Sequence, residues 1–563
     1  MDVKAADERV VRIFVSSTFL DFEPEREALA VHVWPELRRR ASERFAHVVA
    51  IDLQWGVSSA EARENKQLER CIREIDGCGV FLGLLGARYG WMPPHEAFTA
   101  PILQDRPWLE GHLGKSKTEL EVLCGCLDPA TPNTQAVIFV RGQLAPEYQP
   151  LVQNLRAHGV VVHSITDIES FVRSATELLW AQINCNFPPE RVSRSTDEQR
   201  RHRAFGADRS WAIGSEYGDG GNQHFDAYLG VCLRGGAAPF GGPMRRSFAV
   251  HAPTAWDAIA LCGYIAREAH KRAGAAVFEH YPPAGQGSDA DTDFLEHVAR
   301  FSALLLGHDE PTKSASVATA IDACDELSRW KARSGKELFL LLAGVEALSS
   351  KVKPVVEHMA LSMGGLCIVY AEEGSWQTAV SEWGLPWTFM NFASDNFIYF
   401  VRRYIERYGK AMDQKPFYDL AQKLDSHSLL HHKQICDFLI RFARFSDVRA
   451  EIDEVVRLTK AAQGDVDQKA AARCQYFANR ARERIGAEPI DNLLAVLVAA
   501  PNGGTEEEFL GRSELSLADF ARAKSGLGFA LDEWRDRLWL CRGLGDIEGL
   551  LRDAEKQTPF PSF

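Results

Sequence analysis

The chain has 563 residues with 46% apolar and 25% charged side chains, a globular profile too long for one ordinary domain. Its net charge of −13 excludes the broadly basic surface that sequence-independent nucleic-acid binding requires. The twelve cysteines show no C-x-x-C pair, and Cys124 and Cys126 are too close for the usual zinc knuckle, so reduced thiols and no metal site are expected. The opening MDVKAADERVVRIF lacks an apolar core, which predicts no signal peptide and a cytoplasmic protein. The runs Leu338 to Val345 and Leu493 to Ala500 are far short of a membrane span and read as buried strand and core helix.

In chain order, Val11 to Val15 predicts a strand, followed by the turn Ser16-Ser17-Thr18. Leu29, Val33 and Leu37 share one face of a helix from about Glu25 to Arg40, which Pro35 should kink or break. Strands are predicted at His47 to Leu53, Gly79 to Leu85, Gln135 to Arg141 and Val160 to His163. Helices are predicted around Gln67 to Ile75, Lys117 to Leu127 and Ile168 to Ile183. Alternating β and α units imply a parallel sheet with both faces covered, and ligands beyond the carboxyl ends of its strands. Three loops lie there: Ser16 to Asp21, Trp55 to Ala60 and Gly86 to Trp91.

Residues 186–209 read as a charge-rich connector and 235–243 as a Gly/Pro-rich loop. A second α/β unit shows strands at Ser247 to Val250, Leu338 to Leu342 and Leu366 to Tyr370. From about Asn396 the pattern is helical nearly to the end, with no fixed-period repeat.

The segments RIFVSSTFLDFEPEREAL, VHVWPELRRR, DLQWGVSSAEA and CIREIDGCGVFLGLLGARYGW resemble one group over roughly residues 10–185. It is the TIR-like domain of unknown function that precedes NACHT in NACHT–WD-repeat proteins and many bacterial proteins. The resemblance implies a flavodoxin-like parallel-sheet domain that either assembles as an adaptor or cleaves the nicotinamide–ribose bond of NAD with a helix-borne glutamate. Glu121-Val122-Leu123-Cys124-Gly125 matches that glutamate's pattern better than Glu119 onward, because a small residue closes it. A carboxylate there would bond the ribose diol and stabilise an oxocarbenium-like transition state. Two glutamates opening a helix also suit its dipole without any catalysis. Ser17, Thr18, Asp21, Arg88, Tyr89 and Trp91 occupy loops that line the nucleotide pocket in TIR domains. Their structural alternatives are helix capping by Thr18 or Asp21 and packing of Tyr89 and Trp91.

Residues 202–229 resemble the lead-in to a NACHT/STAND NTPase, with Gly214-Ser215-Glu216 where a Gly-Arg-Glu element touches the base. After the strand Ser247 to Val250 a P-loop should follow, and HAPTAWDA stands there instead. A P-loop needs glycines to wrap phosphate, Lys for charge and Ser/Thr for magnesium. Asp257 fills the Lys position, Ala258 the Ser/Thr position, and Trp256 blocks backbone approach. Exchanging the cation for an anion reverses about 4 kcal/mol per charge pair at an effective dielectric of about 20. In LFLLLAGVEAL, Ala343 replaces the magnesium-holding aspartate, while Glu346 stands where a catalytic acid could. ATP and Mg are therefore not expected as cofactors, and NAD enters only as substrate of a catalytic N-terminal domain.

VRRYIERYGK at residues 401–410 resembles the start of the NACHT lid, and residues 490–555 look like a winged helix. The expected domains are 1–185 TIR-like, 186–230 connector, 231–395 degenerate NACHT, 396–485 helical lid and 486–563 winged-helix-like. His427 and His431 share ligand spacing but lack the acid of H-E-x-x-H and read as a polar lid face. Arg200, Arg201 and Arg203 form a basic knot that could contact RNA or an acidic partner surface and by default reads as a solvated linker. Two functions follow from the resemblance. One is a signalling protein that self-associates or docks on a protein partner, with neither nucleic acid nor membrane, in bacterial antiviral defence or conflict. The other is an NAD glycohydrolase switched on by clustering.

Overall fold

A computed structural model describes residues 9–18, 21–53, 66–128, 135–190, 192–211, 213, 247–271, 274–285, 289–311, 314–363, 365–371, 375–385, 387–389, 394–424, 426, 428–443, 447–500 and 503–541.

The N-terminal unit begins with β1 (Val10–Ser17). The helix after it is interrupted: α1 (Glu23–Ala28) runs through a wider π turn at Leu29–Val33 into α2 (Trp34–Ser42). Pro35 offers no N–H to the carbonyl four residues before it, so the distortion falls where the sequence predicts a break. The unit continues through β2 (His47–Asp52), α3 (Gln67–Asp76), β3 (Val80–Leu85), α4 (Ala100–Asp105), α5 (Lys117–Cys126), β4 (Gln135–Arg141), α6 (Gln149–Ala157), β5 (Val162–Ile165) and α7 (Ile168–Asn186). The strands form one parallel sheet in the order β2-β1-β3-β4-β5. Every residue of central β3 is buried, as expected of a strand covered on both faces.

The segment read as a connector is largely the helix α8 (Arg194–Ser210), capped by Ser193 and packed along α9 (Ala255–His270). The two backbones touch at Gly206 and Gly263, where a Cβ on Gly263 would lie 2.3 Å from the Gly206 carbonyl oxygen. Arg201, read as solvated, is only 2% exposed and donates to the Ala284 carbonyl at 3.0 Å.

The second sheet is built from β6 (Phe248–His251), β7 (Ala276–His280), β8 (Leu338–Ala343), β9 (Leu366–Tyr370) and β10 (Trp387–Phe389). It too is parallel, in the order β10-β6-β9-β8-β7. The sequence did not announce β7 or β10. Glu279 and His280 break the apolar run of β7, yet both are buried, and Glu279 is bonded by Tyr281 Oη at 3.0 Å and His270 Nε2 at 2.9 Å. Helices α10 (Ala290–Leu306), α11 (Val317–Ser334), α12 (Lys353–His358) and α13 (Ser375–Glu382) fall between these strands.

Helices then follow: α14 (Ser394–Arg407), α15 (Gln414–Gln422), α16 (Leu429–Phe442), α17 (Val448–Ala461), α18 (Val466–Ile485) and α19 (Ala487–Val498). The chain closes with β11 (Gly504–Thr505), α20 (Glu506–Ser513), α21 (Leu517–Gly526), β12 (Leu531–Trp534) and β13 (Arg537–Leu540), the strands forming a small antiparallel sheet. One hydrophobic cluster joins Phe205 and Trp256 through Phe400, Leu430 and Phe477 to Trp534, so a single core ties the second sheet to the C-terminal strands. Among the described residues no helix is long and apolar enough to cross a membrane.

Candidate functional site

In the N-terminal unit the first and third candidate loops converge on the start of α5; the loop Trp55 to Ala60 lies outside the described residues. Ser116 caps α5 by accepting from the Glu119 amide at 3.2 Å. Glu121 then points under β1, where Ser16 Oγ donates to its Oε2 at 2.6 Å and Lys117 Nζ stands 3.5 Å from Oε1. The residue is 4% exposed. Cys71 neighbours this pair, and burial pushes its thiol up to about 12, so it is unreactive at neutral pH. The carboxylate is held in a buried polar group beneath the loops, with a protein partner on each oxygen.

The loop residues divide. Tyr89 donates its hydroxyl to Glu119, which Lys115 also pairs at 3.0 Å, and Tyr148 Oη donates to the Tyr89 carbonyl at 2.7 Å. Tyr89 therefore pins the Gly86 to Trp91 loop onto α5. Arg88 is exposed, and Trp91, whose structural alternative was packing, is 45% exposed. Ser17 Oγ accepts from Arg26 Nε at 2.9 Å, and Thr18 donates to the Asp21 carboxylate. Neither Thr18 nor Asp21 caps α1, whose N-cap position is Phe22 with no side-chain bond.

In the second unit Asp257 sits in the first turn of α9 and is completely buried. Thr254, the N-cap, accepts from its amide at 3.1 Å and donates to its Oδ2 at 2.6 Å. The same oxygen accepts from Ser428 Oγ at 2.6 Å, and Oδ1 accepts from the Leu429 amide at 2.7 Å. Asp257 thus clasps the start of α16 to the start of α9. Its negative end meets the positive end of a helix dipole. Burial raises its carboxyl to about 6, against hydrogen bonds from Ser428, Thr254 and Leu429 that favour the ionised form. Ala258 and Ala343 are fully buried, and Trp256 packs edge-on to Phe400 at 6.2 Å. Glu346 accepts from the Ala371 amide, linking the carboxyl ends of β8 and β9. Gly214, Ser215 and Glu216 lie outside the described residues.

Metal-ligand atoms of His202, His280 and His297 lie within 4.8 Å of one another, a cluster that local sequence patterns did not reveal. Its chemistry works against an ion. The Tyr281 amide donates to His202 Nδ1 at 3.0 Å, so neutral His202 carries its proton on Nε2 and closes that atom to a metal. Burial drives all three rings well below the usual histidine range, and the Arg201 cation adds to it; that keeps the rings neutral, so it is the cation and the His202 tautomer that oppose an ion. His202 and His297 stack at 4.3 Å as neutral core rings. His431, read as part of a polar face, is buried against Ser426 Oγ at 2.7 Å; His427 lies outside the described residues.

These features define an α/β chain with two parallel sheets, whose second unit is closed by its own side chains. Residues 12–142 match the domain of unknown function DUF4062. Telomerase protein component 1 of Rattus norvegicus is 31% identical over 188 residues, 32% of this chain and 7% of that protein. A TPR repeat-containing protein of Dictyostelium discoideum is 33% identical over 124 residues, 20% of this chain and 8% of that protein. NACHT and WD repeat domain-containing protein 2 of Homo sapiens is 38% identical over 90 residues, 15% of this chain and 5% of that protein. The chain therefore spans less than a tenth of the length of these relatives.

Proposed function

We propose that this chain is a signalling and assembly protein: a TIR-like N-terminal domain carried on a NACHT-like scaffold that does not use nucleotide. The single observation that carries this is the Asp257 clasp. The side chain at the phosphate-binding lysine's position joins the α/β unit to α16 through bonds from Thr254, Ser428 and the Leu429 amide. The proposed domains are 1–185, a connector to 230, a degenerate NACHT unit to 395, a lid to 485 and a winged-helix-like end. α8 within that connector packs with the NACHT-like unit. Relatives named for TPR and WD repeats support protein partners or self-association. The setting in bacterial immunity or conflict follows from the resemblance alone.

Light scattering of the full chain over a wide concentration range tests this reading. Association that grows with concentration and is the same with and without Mg-ATP is expected. A chain that stays monomeric and takes up ATP would overturn it.

The second reading is NAD hydrolysis at Glu121. The meeting of Ser16, at the carboxyl end of β1, with Glu121 supports it; the burial of that carboxylate opposes it. NAD consumption at high protein concentration, beside Glu121→Gln, separates the two. Turnover abolished by that substitution establishes the hydrolase, and no turnover in either protein leaves the scaffold.

A further inference from the structure

The turn after α14 touches the N-terminal sheet. Gly409 adopts φ +68, and a Cβ there would lie 2.7 Å from Ile51 Cγ2 and 3.2 Å from Leu53 Cδ2. The backbone of the turn therefore lies closer to the end of β2 than any side chain permits, and only glycine fits both the space and the left-handed conformation. Tyr408, before it, packs against the hydrophobic cluster containing Ile51 and Leu53. Lys410, after it, is 4% exposed and donates to the Asp52 carbonyl. Arg70 Nη2 of α3 reaches the Gly409 carbonyl at 3.3 Å. β2 is an edge strand, so its carboxyl end is open on one side within the sheet.

The contact continues into the candidate loop. The Asp52 carboxylate pairs with Arg26, and Arg26 Nε donates to Ser17 Oγ at 2.9 Å. Elsewhere the N-terminal unit also meets the chain where α21 packs on the π turn Leu29–Val33 and Phe45 on the large cluster, while Arg441 of α16 to Glu27 at 2.7 Å is nearer the surface and weakly coupled. The buried ammonium, the glycine against Ile51 and the aromatic in the core make the first contact shape-specific.

We infer that the carboxyl end of β2 is an interaction surface for a Tyr-Gly-Lys turn, occupied here by this chain's own Tyr408–Lys410. Its occupation holds the N-terminal domain on the scaffold and restrains assembly. The restraint, unlike the docking, rests on the assembly reading above.

Hydrogen exchange of the full chain, with sedimentation on the same samples, tests both parts. Lys410→Glu should speed exchange of amides 47–53 and 408–410 about tenfold, with α16 to α18 unchanged. Association should then begin at lower protein concentration, and Lys410→Arg should behave closer to the parent. If Lys410→Glu fails to fold, Arg70→Ala, which removes the bond to the Gly409 carbonyl, reads the same amides. Unchanged exchange in a folded variant overturns the inference. Faster exchange with association equal to the parent's overturns the restraint alone, association in neither protein at any concentration overturns the assembly reading, and both leave the docking surface standing.

Discussion

A carboxylate at Asp257 does what no ammonium could do in the same place. It accepts hydrogen bonds from two hydroxyls and one amide in a fully buried site at a helix start. Asp257→Ala would leave the Leu429 amide and both hydroxyls without this acceptor. Each orphaned buried group costs about 1–3 kcal/mol, so urea unfolding should show a loss of about 2–4 kcal/mol. Asp257→Lys should cost more, because it sets a buried cation against the positive end of α16. The pH dependence has a definite sign. The folded carboxyl is raised from 3.8 to about 6, so the folded chain binds more protons across that window. The contribution is fully present below the lower value and is lost as pH rises through about 6, and Asp257→Asn should flatten that slope. From the P-loop resemblance the sequence reads an anion at this position where a cation is expected. It could not reveal the partner, because Ser428 lies 171 residues away and nothing local in either segment encodes the meeting. The histidine cluster escaped for the same reason: its rings come from α8, β7 and α10.

At the scale of elements, legibility followed hydrophobic runs. β3, β8 and β9 are uninterrupted apolar strands, and their places were read to within a residue or two. β7 was hidden by its polar end: Glu279, bonded by Tyr281 and His270, and His280, whose Nδ1 meets His297 Nδ1 at 3.0 Å. α8 was hidden by its arginines. Arg209, which looks solvated in sequence, is buried against Asp532 of β12 at 2.7 Å and lies over the Phe205 ring at 3.5 Å. A charge-rich segment can be core when its charges are paired across the fold. The seam between α8 and α9 gives the sharpest element-scale test. A methyl at Gly263 would meet the backbone of α8, which cannot move aside as a side chain could. Gly263→Ala should therefore destabilise by about 1–3 kcal/mol despite its better helix propensity, measured by thermal unfolding.

Across the whole molecule, the two parallel sheets are joined differently to the rest of the chain. The second sheet shares one hydrophobic cluster with the helices and the C-terminal strands, so these should unfold together. The N-terminal unit meets them through the Tyr408–Lys410 turn, the packing of α21 on the π turn Leu29–Val33, Phe45 against the large cluster, the pair His47–Asp208 at 3.2 Å and Arg441–Glu27. An interface that mixes polar pairs with limited apolar packing permits relative domain motion. The second unit is tied to α16 by Asp257, and under the proposed reading that tie stands where a nucleotide would bridge α/β unit and lid. A melting curve of the purified chain in millimolar Mg-ATP, and again in Mg-ADP, tests that reading most directly. A bound ligand at about a hundred times its dissociation constant adds about 2.7 kcal/mol to stability. The account predicts superimposable curves with and without either nucleotide; a saturable rise in melting temperature that Asp257→Ala alters would contradict it.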